Sequence, residues 1–137
     1  MPSINPSAAQ FEAFLARVPA DEPVVMLNLL RFRELAEYPA GFDATPCSGQ
    51  EAYSRYGAVA VQRIASVGGR LLWAGSALTT VIGPEDEEWD SVVLAEYPSK
   101  QAFAEMLGQP EYQAVSPHRT AALADSRLVA TDPQANP

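Results

Sequence analysis

The chain is poor in the residues that most often carry chemistry. It has one cysteine, Cys47, and one histidine, His118. A lone cysteine forms no intrachain disulfide, so the fold does not depend on oxidation. One His and one Cys are too few for a transition-metal site, which draws on several such ligands. Cations are scarce too: 9 Lys and Arg face 17 Asp and Glu, a formal net charge of -8. Counterion release from phosphates needs clustered cations, so neither nucleic acid nor an anionic membrane surface is an expected partner. Long apolar runs are missing. The longest, Pro23 to Leu30, is far below the roughly 20 residues of a membrane span. The opening MPSINPSAAQ has no basic region and no long apolar stretch, so it does not read as a signal peptide, and the expected location is cytoplasmic. G-x-G-x-x-G, Walker, nucleophile-elbow, H-E-x-x-H and C-x-x-C patterns are all absent, and no cofactor or metal is expected. The acidic run Glu85-Asp86-Glu87-Glu88 lacks the spacing of a calcium loop and reads as a solvated turn.

What is present is the composition of a globular domain. At 137 residues, 47% hydrophobic and 19% charged, the chain has room for one domain with an ordinary core. Ser7-x-x-Gln10 is a capping box ahead of Phe11, Phe14, Leu15 and Val18 at helical spacing, and Pro19 ends that helix. Val24–Phe32 is β-branched at its start and flanked by proline, which favours a strand. Arg33 to Cys47 is long for a connection in so small a domain, as lids and binding loops are. Ser48-x-x-Glu51 opens a second helix to about Val67, stopped by Gly68–Gly69. Arg70 to Ile82 reads as a strand with a bulge or bend at Gly75. Asp90–Tyr97 reads as another. A short helix follows Pro98–Ser99, Pro110–Val115 adds a turn or so, and Ser116–Pro117 reads as a fresh N-cap launching His118 to Leu123. Asp125–Thr131 closes the chain.

After a helical extension at 1–22, the order over 23–131 is β-α-β-β-α-β, with a disordered tail expected at 132–137. That is the ferredoxin-like α+β arrangement, a four-stranded antiparallel sheet with both helices on one face. The strands are apolar on both faces: Val25, Leu27 and Leu29 alternate with Val24, Met26, Asn28 and Leu30, and Val92 and Leu94 with Val93, Ala95 and Tyr97. Two helices cover one face. The other needs a second copy or the N-terminal helix, and a homodimer with face-to-face sheets is the better reading.

Several segments are familiar together: Met26-Leu27-Asn28-Leu29-Leu30, Tyr53-Ser54-Arg55-Tyr56-Gly57, Trp89-Asp90, Glu96-Tyr97-Pro98-Ser99, Pro110-Glu111-Tyr112-Gln113, Pro117-His118-Arg119 and Asp125-Ser126-Arg127-Leu128. They resemble the domain of unknown function (DUF) 1330 family over roughly Pro23 to Thr131. The resemblance implies a dimeric α+β barrel, in which two ferredoxin-like sheets enclose a central space. The wider superfamily includes cofactor-independent monooxygenases, muconolactone-type isomerases, polyketide cyclases and heme-handling enzymes. A fold so widely shared does not select a function.

Six side chains are candidates for a site. Asn28, mid-strand among apolar neighbours, either orients a ligand carbonyl or is a satisfied structural amide. Tyr53 and Tyr56, three apart, share a helix face; each is a pocket donor or a core residue with its hydroxyl at the edge. Trp73 stacks a planar ligand or packs in the core. His118 is the one conventional acid–base group, placed by this reading in the first turn of a helix whose dipole opposes its protonation. Arg119 either clamps a ligand carboxylate or bridges a carboxylate such as Asp90. The expected assignment is His118, Arg119 and Tyr56 to catalysis and Asn28, Tyr53 and Trp73 to ligand binding. The corresponding function is proton transfer on a small carbonyl or phenolic compound, with a non-catalytic binding or structural dimer as the alternative.

Overall fold

A computed structural model describes residues 2–133 of the chain; most of the expected tail, 134–137, lies outside the described residues. The first helix, α1 (Ala8–Arg17), opens on the full capping box: Ser7 Oγ accepts from the Gln10 amide at 3.1 Å, and the Gln10 side chain accepts from the Ser7 amide. Its last carbonyls are met by the Lys100 ammonium, which donates to Leu15 and Val18. Then come β1 (Val24–Phe32), α2 (Gly49–Ser66), β2 (Arg70–Ser76), β3 (Ser91–Tyr97), α3 (Lys100–Leu107), α4 (Pro110–Ala122) and β4 (Leu123–Thr131). Ser48 caps α2 through the Glu51 amide, and Gly68, at φ +84°, supplies the left-handed turn that ends it. Among the described residues no helix is long and apolar enough to cross a membrane.

Two elements differ from the sequence reading. β2 stops at Ser76 rather than Ile82. Its partner β3 begins at Ser91, opposite Ser76; past the Ala77 amide, which donates to the Asp90 carbonyl at 2.9 Å, no strand pairs the segment among the described residues, and Leu78, Val81 and Ile82 stand exposed. The register shift in β2 lies between Leu71 and Trp73, not at Gly75. Glycine is needed at position 75 for a different reason, since a Cβ there would collide with the Trp73 indole, which lies across it. The second difference is that Pro110–Ala122 is one helix with Pro117 inside it. Pro117 has no N–H to give the Gln113 carbonyl; Ser116 Oγ donates to that carbonyl instead, at 3.1 Å. The pair that reads as a new cap is a repair within a continuous helix.

The strands form one antiparallel sheet in the order β2-β3-β1-β4, the ferredoxin-like order. Val24, Met26, Asn28 and Leu30 of β1 face the helices. There the core divides into two clusters. One gathers Val24, Met26, Ala95, Tyr97, Phe103, Met106 and Tyr112, and the other Leu30, Ala52, Ala122 and Leu123. Asn28 lies between them, opposite Val93 and Leu128. The helix α1 packs on this same side, Phe14 edge-on to Phe103 with centroids 5.4 Å apart. It therefore does not cover the other face, where Val25, Leu27, Leu29, Val92, Leu94, Trp73 and Val129 point. Trp73 and Val129 on that face are 54% and 51% exposed.

Candidate functional site

The sheet and α2 converge at the boundary between the two clusters. On β1 it is marked by Asn28, between Met26 and Leu30. On α2 it falls between Tyr53, which packs on the Leu30 cluster, and Tyr56, which packs on the Tyr112 cluster. Helical spacing sets the two phenols side by side, centroids 5.3 Å apart. Phe32 lies 5.4 Å beyond Tyr53 and Tyr112 5.9 Å beyond Tyr56, so four aromatic rings line the inner side of α2. The Tyr56 and Tyr112 hydroxyls bond one another at 2.8 Å.

The Tyr53 hydroxyl has no hydrogen-bond partner among the described residues. No fully buried side-chain oxygen or nitrogen among them is left unpartnered, so this hydroxyl is not fully enclosed, although most of the side chain is buried. Asn28 Nδ2 makes two long bonds, to Val93 O at 3.3 Å and Met26 O at 3.4 Å. Its Oδ1 accepts from nothing described. Arg119 completes the group from α4. Its positive charge reaches both phenols and favours their ionisation, but burial dominates and raises Tyr53 to about 12 and Tyr56 well above the ordinary value, with Tyr112 adding to the rise. At neutral pH both are neutral donors. Arg119 itself donates to the Ile4 carbonyl at 2.7 Å and does not meet Asp90. Asp90 instead accepts from the Phe32 amide at 2.7 Å.

His118 looks elsewhere. Successive helix positions lie about 100° apart, so neighbouring residues serve different surfaces. His118 meets the Arg33–Cys47 loop, its ring edge-on to Tyr38 and Phe42, whose rings stack at 5.5 Å. Tyr38 Oη and His118 Nδ1 are 2.7 Å apart, and Arg55 donates to the same Tyr38 oxygen at 3.4 Å. The Tyr38 oxygen thus joins the His118 ring and the Arg55 guanidinium in one small network. Burial, then the Arg55 charge, lowers the His118 pKa. The helix dipole is not the cause, because His118 sits in the C-terminal half of α4 rather than in a first turn. The loop is tied down by backbone: the Arg33 and Glu37 amides donate to the Ala122 and Ala121 carbonyls at 2.8 and 3.0 Å, closing the end of α4.

Of the six expected side chains, then, the structure sets Tyr53 and Tyr56 side by side, places Asn28 on the strand face that the helices cover, and brings the Arg119 charge within reach of both phenols. His118 joins a loop cluster and Trp73 lies on the opposite sheet face. Tyr112, Tyr38 and Arg55 are not among the six. Tyr112 carried a signal, an aromatic two residues past a helix-starting proline. Tyr38 and Arg55 carried none, since their pairing crosses a loop. Two open hollows lie outside this boundary, one beside Phe32, Ser48 and Asp90 and one beside Tyr38, Ser116 and Pro117. Among the described residues no group of three or more His, Cys, Asp or Glu is placed to hold a metal ion.

A family model described as a domain of unknown function, DUF1330, matches residues 45–132. The chain belongs to the DUF1330 family. The match takes in Tyr53, Tyr56, Tyr112 and Arg119 but not Asn28. A solved structure extends the likeness across the rest: RPA0582 of Rhodopseudomonas palustris, a protein of unknown function, is 40% identical, with 98% of each chain covered and a TM-score of 0.88. The N-terminal helix and the long loop of this DUF1330 chain are thus shared with RPA0582. Two remote structures agree in fold alone. Hydroxynitrile lyase from Passiflora edulis is 9% identical at TM-score 0.53, covering 85% of this chain and 97% of that one. A dabb family protein with a ferredoxin-like fold from Mesorhizobium loti is 8% identical at TM-score 0.52, covering 82% and 97%. No curated protein matches the sequence.

Proposed function

We propose that this DUF1330 protein is a homodimer that binds a small carbonyl-bearing or phenolic compound at the Asn28–Tyr53–Tyr56–Arg119 boundary. The observation that carries the reading is the Tyr53 hydroxyl, not fully enclosed and unpartnered among the described residues, within reach of the Arg119 charge and next to Tyr56. Binding sites are typically apolar walls with a few converging polar groups, and this boundary has that composition. Arg119 and Asn28 would polarise a ligand oxygen and a protonated phenol would donate to it. That is the arrangement for cofactor-independent proton transfer of the isomerase, cyclase or monooxygenase type. The fold likeness to a hydroxynitrile lyase supports only that such a scaffold can carry an enzyme.

A non-catalytic binding role is supported by a separate observation. The phenols are held in their protonated form, and His118 lies in the loop cluster against Tyr38 and Phe42, so the boundary offers donors and, among the described residues, no imidazole base. The dimer part rests on the uncovered apolar face of the sheet, where Trp73 and Val129 are 54% and 51% exposed, since contiguous apolar surface of this kind marks interaction sites. Protein-observed NMR with a library of small aromatic and carbonyl compounds tests the site. Binding should shift Asn28, Tyr53, Tyr56 and Arg119 together; shifts centred on Trp73 and Leu94 would move the site to the barrel interior. Turnover of any binder, lost in Tyr56→Phe with binding kept, would decide for catalysis.

A further inference from the structure

The loop between β2 and β3, Ala77 to Asp90, is fixed at its root and bare along its outgoing limb. At the root the Ala77 amide donates to the Asp90 carbonyl at 2.9 Å, and the Asp90 amide to the Leu30 carbonyl at 2.7 Å. Arg127 ties down the returning limb. It stands opposite Leu29 in the register of β4 with β1, so it points to the sheet face that the helices leave uncovered. There its guanidinium reaches Glu87 at 3.6 Å and lies 5.1 Å from the centre of the Trp89 ring. The loop is thus rooted at the rim of the open face. Its outgoing limb carries Leu78, Val81 and Ile82 at 93%, 89% and 93% exposed, the barest large apolar side chains among the described residues. Apolar surface gathered in this way, continuous with an open apolar face, marks an interaction site.

We infer that this loop is an arm that each copy of the chain lays on the other, with Leu78, Val81 and Ile82 packed against the second copy beside its open sheet face. The inference rests on the homodimer part of the reading above and adds the segment that completes the interface. Area selects the occupant. Four strands about 4.8 Å apart and about seven residues long make a face of roughly 19 by 23 Å, on the order of 450 Å². A stable pair takes about 800 Å² from each partner, so the two faces alone fall short. Each of the three arm side chains offers on the order of 100 Å² of apolar surface, which brings each copy close to that figure. Charge sets aside other occupants. The arm ends in Glu85-Asp86-Glu87-Glu88 on a chain of net charge -8, which opposes an anionic lipid surface or a nucleic acid. A twofold contact, in contrast, presents the arm and face of each chain to the face and arm of the other.

Two measurements on the full chain test the arm: sedimentation across a dilution series, and nuclear Overhauser contacts in a mixture of isotope-labelled and unlabelled copies. The unmodified chain should sediment at twice 14.7 kDa. Contacts should run from the methyls of Leu78, Val81 and Ile82 in one copy to the other copy. Leu78→Ser, Val81→Ser and Ile82→Ser made together should weaken pairing by about tenfold at the least, since three apolar side chains no longer leave water. Unfolding of the separated protomer should be unchanged, because these side chains are almost fully exposed in it. A smaller loss of pairing in the triple variant overturns the inference. So do arm contacts that are absent or confined to one copy, a result that needs no variant. If Leu94→Arg still separates the copies in that case, the sheet-face dimer stands and only the arm is wrong. If the unmodified chain sediments at 14.7 kDa at every concentration, both readings fall.

Discussion

The two faces of the sheet use the same strands and nearly the same residue types, yet they end up in opposite conditions. On the helix side Val24, Met26, Leu30, Ala95 and Tyr97 are all at most 4% exposed, enclosed by the helices. On the other side the valines and leucines of the same strands are only partly buried, and the Trp73 indole lies over Gly75 with about half its surface in water. Hydrophobicity alone therefore does not tell which face is the core of the protomer. What decides it is which face the connections cross, and the helices, α1 included, lie on one side. The difference also separates two functions of apolar residues. One set holds the protomer together, and the other is available to a second copy.

That contrast can be broken from either side. The largest effect is expected at Leu30, fully enclosed in the smaller cluster: Leu30→Ala should lose about 2–5 kcal/mol in denaturant unfolding, through lost burial and the cavity left behind. Leu94→Arg on the open face should cost little in the unfolding of the isolated protomer, because a long side chain there keeps its charge in water. If the chain pairs as proposed, the substitution should nonetheless convert a species sedimenting at twice 14.7 kDa into one of 14.7 kDa. A Leu94→Arg protein that still sediments at the doubled mass would remove the dimer from the proposal above. The smallest effect concerns the loop over α4. The folded pKa of His118 lies below its ordinary value, so the unfolded chain takes up the proton first. Stability is then full above about pH 6.5 and falls as pH drops through that value to the folded pKa. Melting curves at pH 7.5 and 5.5 should differ more in the unmodified chain than in His118→Gln, and Tyr38→Phe should reduce the difference.

Much of the framework was legible because local chemistry is written in neighbouring residues. Ser7 and Gln10 close their box within one turn, and Ser48 meets Glu51 in the same way. Gly68 ends α2 because only a residue tolerant of positive φ can turn there. The two-faced strands pointed to a surface left over after the helices were placed. Legibility failed where a residue's partner is distant in sequence. The segment Leu78–Ile82 has the composition of a strand but, among the described residues, no strand to pair with. Ser116–Pro117 has the form of a cap but lies where the helix from Pro110 already passes. Asn28, Tyr53, Tyr56 and Arg119 come from β1, α2 and α4, and nothing in their spacing separates them from Trp73 or His118.

The sequence by itself determined the order of the four strands along the chain, the Ser7 and Ser48 caps, the ferredoxin-like class and the surplus of apolar strand surface, since each follows from periodicity and short-range hydrogen bonding. Only the tertiary structure decided which candidates meet. One turn of α4 aims His118 at the loop and Arg119 at the N-terminal segment, and one step along a strand aims Asn28 at the helices and Leu27 away from them. Side-chain direction depends on how the elements are docked, and docking is a property of the whole chain.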